Sequence, residues 1–409
     1  MQRMLVLRVC LWWLPFALMG CVDPWVTALP TPAAIHTSAP NLSTDYAGRA
    51  VLSWQRKAQE TTVLEYAVLT EGVWSKPTEV ARGTNWFVNW ADIPAVQPIN
   101  DKFWVAHYLQ RTPGGKYAYD VQLRLSTDGG RTWRDAGRPH TDDTLSEHGF
   151  VSMFPDGDRL GLVWLDGRES KPPQDSSAHH SSHGAMTLRS AHLDSQGRLH
   201  NEQLVDARVC DCCPTAASWT ASGPLVVYRD RSAGEIRDIA SSRLQPQGWT
   251  EPQPVSVDGW HTAGCPVNGP ALAVQQKDVA VLWYSGAERP SKVFLARSAD
   301  GGATYGRKLK VNKQEPLGRV TMVMHPDRSL VLLWLQEDAP EQAWLVARYV
   351  SADNELGEIK KIVRVSPERF SGFPKLINAD SKTVLAWTHV ASEGLQVRTL
   401  IIDEKALKQ

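Results

Sequence analysis

The sequence predicts an all-β propeller of four-stranded antiparallel blades, with seven blades favoured over six and the ring closed by an N-terminal strand. Three observations carry this. First, an apolar run ending in an aromatic residue recurs: Trp54, Tyr108, Trp164, Tyr228, Trp283, Trp334 and Trp387. The interval is roughly fifty to sixty-five residues, a period that belongs to propeller blades or solenoid units. Second, each unit holds several short apolar runs separated by turns, with almost no helical periodicity, and a β-helix would need shorter and more regular repeats. Third, the last unit stops after its third strand, Gln396 to Ile402, with only a polar tail beyond.

Within a unit the elements follow in order. A short strand precedes each anchor, as in Pro40-Asn41-Leu42, Gly269-Pro270-Ala271-Leu272 and Phe373-Pro374-Lys375-Leu376. The anchor strand comes second. A third strand follows it, as in Val121 to Leu125 and Val293 to Arg297. Several units then end on an aromatic residue or proline, as in Trp74 to Pro77 and Trp249 to Pro252. Because a propeller must close its ring, the outer strand missing from the last unit is expected near Trp25 to Ile35.

Composition agrees with a turn-rich β protein: 17 Trp, 29 Gly and 26 Pro in 409 residues. Lys+Arg 44 balance Asp+Glu 44, which removes the electrostatic case for nucleic acid or an anionic membrane surface as partner.

At the N-terminus Arg3 and Arg8 flank the apolar run Val9 to Met19. The run is too short for a spanning helix and reads as a signal peptide, residues 1–20. Its end, Leu18-Met19-Gly20-Cys21, resembles a bacterial lipobox. That resemblance implies cleavage before Cys21, lipidation of its thiol and tethering outside the cytoplasm, with Val22 after the cysteine pointing to the outer membrane. A secreted protein is the alternative. Residues 21–38 then form a Pro-, Ala- and Thr-rich tether that includes the closing strand, and 39–405 a single propeller. Cys10 leaves with the signal peptide, so Cys210, Cys212, Cys213 and Cys265 remain, an even set in an oxidising compartment.

Two turns carry a signature. Ser126-Thr127-Asp128-Gly129-Gly130-Arg131-Thr132-Trp133 fits the Asp-box pattern S-x-D-x-G-x-T-W at every position. Ser298-Ala299-Asp300-Gly301-Gly302-Ala303-Thr304-Tyr305 fits it with Tyr in the last place. The aspartate accepts N–H groups of its own turn, glycine supplies positive φ, and the aromatic packs into the blade. With two matches in phase with the repeat, the chain resembles the sialidase-like (BNR/Asp-box) propeller superfamily over nearly all its mature length. Asp-boxes are structural turns, so the resemblance implies a fold and not an activity.

Topology sorts the polar segments by face. Asp-boxes lie between third and fourth strands, on one face. The second-to-third loops and the connections into each new blade lie on the other, where propellers bind ligands. There fall Asp166-Gly167-Arg168, the loop with His179, His180, His183 and Met186, and Arg229-Asp230-Arg231 with Glu235 to Asp238. The same face takes the connection bearing His140, Glu147 and His148, the Cys210 cluster entering blade 4, and His261 with Cys265 entering blade 5. The four thiols have three readings: two disulfides, a copper(I) or zinc site completed by His261 or the histidine loop, or a redox-active dithiol. The histidine loop reads either as an incidental polar insertion or as a source of ligands. The arginines read either as braces paired to Asp230, Glu235 and Asp238 or as anion binders.

A sialidase needs three arginines on the substrate carboxylate, a tyrosine nucleophile activated by glutamate, and an acid/base carboxyl. The resemblance would draw clamps from Arg168, Arg229, Arg231 and Arg289, and acids from Asp166, Asp230 or Glu235. Family members take their first arginine from an Arg-Ile-Pro motif in the first strand. This chain has Ala39-Pro40-Asn41-Leu42-Ser43 there, and the sequence singles out no nucleophilic tyrosine. The expectation is therefore a lipid-anchored propeller that binds a small-molecule, glycan, metal or protein partner at the Cys/Arg/His-lined mouth. An exo-sialidase-type glycosidase is the alternative.

Overall fold

The computed structural model describes residues 25–170, 184–339 and 342–408; Cys21, His179, His180 and His183 fall outside them. The chain forms seven antiparallel blades in a ring. All seven aromatic anchors sit in second strands, and Trp54, Trp164, Tyr228, Trp283 and Trp334 are almost completely buried. Each second strand is flanked by two others in its own sheet and packed on both faces by neighbouring blades. Its side chains are therefore apolar without strict alternation, as in Leu330–Ala339.

Seven apolar cores result, each shared by two adjacent blades. Trp164, for example, lies in the seam between blades 2 and 3 with Leu123 and Leu162. The first strands of successive blades neighbour one another around the channel.

The ring closes as the truncated last unit predicts. Val26–Leu29 pairs with Gly394–Ile402, from Val26 opposite Ile402 to Leu29 opposite Thr399. Two details differ from expectation. In blades 1 and 4 the outer strand is split, Val73–Trp74 from Thr78–Gly83 and Gly248–Trp249 from Gln253–Pro254. Pro77 and Pro252 stand at the breaks and have no N–H for the ladder. The polar tail ends in one helical turn, Glu404–Lys408, which buries Leu407 in the seam of blades 6 and 7. Among the described residues no helix is long and apolar enough to cross a membrane.

Both Asp-boxes form closed turns on the face opposite the entry connections. Asp128 takes the N–H and hydroxyl of Thr132 at 2.9 and 2.7 Å and the Ser126 hydroxyl at 2.8 Å, and Asp300 repeats this with Thr304 and Ser298. Those donors hold both carboxyls down at about 2. Gly130 and Gly302 have φ of 85° and 83°, where a Cβ would also collide with Tyr66 and Leu225 respectively. Trp133 and Tyr305 pack into the adjoining seams.

Candidate functional site

The channel mouth is built from the connections entering blades 3, 4 and 5. The segment after Leu199–Val209 is tied to the end of the neighbouring second strand, because the Cys210 N–H donates to the Arg229 carbonyl at 3.0 Å. This holds Cys210 and Cys213 inside, 1% and 2% exposed, with their sulfurs 3.1 Å apart. Cys212 is half-buried, and the three sulfurs lie within 4.8 Å of one another. Cys265, on the next connection, is exposed and lies outside this group of three. All four stand as free thiols.

The surroundings push these sulfurs in different directions. Hydrogen bonds from Cys212 and Cys213, with the Arg237 guanidinium 3.3 Å away, hold Cys210 well below the ordinary thiol range. The same sharing pushes Cys212 up, burial pushes Cys213 up, and Cys212 holds Cys265 down. The surroundings therefore favour the thiolate at Cys210 and the thiol at Cys212 and Cys213. No histidine nitrogen joins it among the described residues, and His261 is exposed, its backbone paired with Ile236.

The surrounding arginines are already engaged. Arg231 donates to Glu235 at 2.8 Å and to Asp211 at 3.1 Å, and Arg237 donates to Glu235 at 2.8 Å. Arg229 is 2% exposed. It donates to the carbonyls of Asn268, Arg237 and Tyr284 at 2.6–2.9 Å and stacks over Trp260. It braces three segments of blades 4 and 5 and presents no free edge to an anion. Asp230 is raised to about 6 by burial, Asp238 accepts three backbone N–H groups near Trp260, and Arg289 is exposed. Arg168 pairs with Asp166, Asp142 and Glu202 at 2.8–3.1 Å, a blade away from the thiols.

Two groupings at the boundary of blades 2 and 3 take His140, Glu147 and His148, which the sequence placed on this face, and join them to Tyr119, Asp92, Asp120 and Asp142, which it did not single out. In the first, Tyr119 is fully buried against Phe87, with its hydroxyl 2.8 Å from both Asp92 and Glu147. A phenol has one proton to donate, so one carboxyl must carry its own. Burial raises Asp92 to about 7 and Glu147 to about 8. The second grouping stacks His140 on His148, centroids 3.8 Å apart and planes 1° from parallel, between the carboxylates of Asp120 and Asp142. Burial pulls His148 down, but Asp120, Asp142 and Asp166 outweigh it and raise it to about 9.

The first grouping gives stability a pH slope. An acid whose folded value lies above its unfolded one stabilises fully below about 4 and loses that contribution as pH rises through about 7 for Asp92 and about 8 for Glu147. Each contributes a slope of up to about 1.4 kcal/mol per pH unit inside that window. Asp92→Asn keeps an acceptor for the Phe150 N–H and is expected to flatten the fall. Urea unfolding of both chains across this range checks it; equal slopes would show that Asp92 holds no proton there.

No protein-family model and no curated protein matches the chain. Solved structures do. An α-L-arabinanase of Penicillium chrysogenum, complexed with arabinobiose, superposes with a TM-score of 0.50 at 12% identity, covering 94% of this chain and 99% of that one. A polysaccharide lyase gives 0.54 at 9%, covering 94% of each. Trypanosoma rangeli sialidase gives 0.43 at 13%, covering 80% of this chain and 56% of its own. The fold is a seven-bladed β-propeller. At these identities the likeness extends to the fold and no further.

Proposed function

We propose that the protein is an extracytoplasmic, lipid-anchored propeller that binds a soft metal ion, copper(I) or zinc, at the thiol-lined mouth of its channel. One observation carries this reading: the three sulfurs of Cys210, Cys212 and Cys213 lie within 4.8 Å of one another, with the Arg237 guanidinium 3.3 Å from Cys210 favouring its thiolate and Cys265 on the neighbouring connection. Thiolate is the ligand form of cysteine, and clustered sulfur selects Cu(I) or Zn. The paired arginines and acids make a neutral collar around it, suited to holding the thiol segments in place. The Leu18-to-Cys21 motif supplies the export and anchoring, and a protein or small molecule that delivers or receives the ion is the partner this chemistry implies.

The test uses the full chain purified from the periplasm. Copper(I) uptake against a chromophoric chelator is expected at about one equivalent, lost in Cys212→Ser and Cys213→Ser. Recovery of two disulfides, with no reactive thiol and no copper uptake, would replace the metal site by a pair of staples. Mass spectrometry of the same material reads Cys21: an unmodified thiol there removes the anchor.

The glycosidase alternative has one observation of its own, the Tyr119 hydroxyl held by Glu147. Against it, Tyr119 has no exposed surface and Arg229 is engaged by carbonyls. Turnover of a fluorogenic sialoside that disappears in Tyr119→Phe would overturn the binding reading.

A further inference from the structure

A cleft of about 570 Å³ opens on the mouth face at the seam of blades 1 and 2, across the ring from the thiols of blades 4 and 5. The second strand of blade 1 supplies Gln55 and Lys57, the connection into blade 2 supplies Trp86, the second strand of blade 2 ends in Arg111, and the closing segment brings His36. Packing does not explain two features of this cleft. The first is Gln55, which is 2% exposed and has no hydrogen-bond partner for either its amide oxygen or its amide nitrogen. The Ser53 hydroxyl, next along the same side of the strand, is buried and unpartnered too. Buried polar groups are ordinarily paired, because leaving one unpaired forfeits its hydration.

The second feature is charge. His36, Lys57 and Arg111 line the cleft and no carboxylate does. Among the described residues none of the three is ion-paired, and Glu65, on the adjoining strand, is taken by Arg56 at 2.7–2.8 Å and by Trp54 at 3.0 Å. Arg111 meets only the Lys116 carbonyl at 3.2 Å and the face of Phe87. In a chain whose charges balance overall, bases gathered without a counter-charge call for an anion from outside. Arginine's fork suits a carboxylate, and an amide that offers a donor beside an acceptor suits a hydroxyl, which is both. Trp86 adds an apolar wall, held against Tyr108 with ring centroids 4.3 Å apart. The lining comes from strands and connections, without the helix N-terminus that favours phosphate. Its volume lies in the range of small-ligand clefts.

We propose that this cleft binds a small hydroxylated carboxylate, a sugar acid or an open-chain hydroxy acid, with Arg111 and Lys57 on the carboxylate and Gln55 on a hydroxyl. The long stem of Gln55 lets its amide turn toward the guest by a change of rotamer. Oxygen groups met by nitrogen donors need no sulfur and no metal, so the cleft is chemically independent of the thiols at the channel mouth.

The experiment is isothermal titration of the full chain at low salt with glucuronate, gluconate, glucose and glucose 6-phosphate. One of the two carboxylates is expected to bind at about one equivalent, and glucose at least about 10-fold more weakly, since it lacks the charge-assisted bonds. Preference for glucuronate names a ring sugar acid as the guest, and preference for gluconate names an open-chain acid. Gln55→Met keeps the stem and removes the unpaired amide, so it should melt no lower than the natural chain while binding about 10-fold more weakly. A residue with a merely structural role would leave binding unmoved. Should that chain not fold, Lys57→Gln and Arg111→Gln change exposed side chains and should each weaken binding about 10-fold. No binding of either carboxylate, equal binding of glucose, tighter binding of glucose 6-phosphate, or affinity unchanged in these variants would each overturn the site.

Discussion

Arg229→Met will destabilise the protein by about 3–5 kcal/mol, because it removes the donor from carbonyls that have been taken out of water. The guanidinium serves Asn268, Arg237 and Tyr284 at once, so it joins the exit of one blade-4 strand, the start of the next and the inner side of blade 5. Its Cζ stands 4.7 Å from the Trp260 ring centroid, which adds a desolvated cation–π contact. Lysine restores little, since one ammonium on a flexible stem cannot reach carbonyls in three directions. Urea unfolding of Arg229→Met and Arg229→Lys reads this directly. A loss under about 1 kcal/mol in Arg229→Met would mean the guanidinium is free to serve a ligand after all.

Deleting residues 25–31 will cost on the order of 5 kcal/mol and broaden the unfolding transition, since it removes four ladder pairs and the buried Leu29. Thr31 and Thr399 also lose their bonds across the closure, the second to a carbonyl 370 residues away. A synthetic peptide of residues 25–36 should restore the lost stability in trans, by adding its strand to the open edge of Gly394–Ile402. A truncated chain that melts as the full one does would show that blade 7 is complete with three strands.

The fold was legible because blade construction repeats its signal seven times. An aromatic at the end of an apolar run marks a second strand packed on both faces, and a unit short of one strand demands a donor elsewhere. The face on which Cys210 and Cys265 meet followed from strand count alone. What the side chains do there did not. Arg229 reads the same in sequence whether its fork meets an anion or three carbonyls, because carbonyls leave no trace in residue identity. Tyr119 is joined to Asp92, 27 residues upstream in a segment without a motif. His140 and His148 stood out as polar residues entering blade 3. Their near carboxylate, Asp120, lies in an alternating strand, where one acid looks like an ordinary edge residue.

Since every core is divided between two blades, no blade owns an interior that could hold it together alone. A chain still being made carries an uncovered apolar face on each finished blade. The strand Val26–Leu29 waits for a partner that is synthesised some 370 residues later. Such a molecule gains its stability late and all at once, and until then its unpaired edges invite association with other chains. Holding the early blades apart until the seventh arrives is therefore a task that falls to the cell rather than to the sequence.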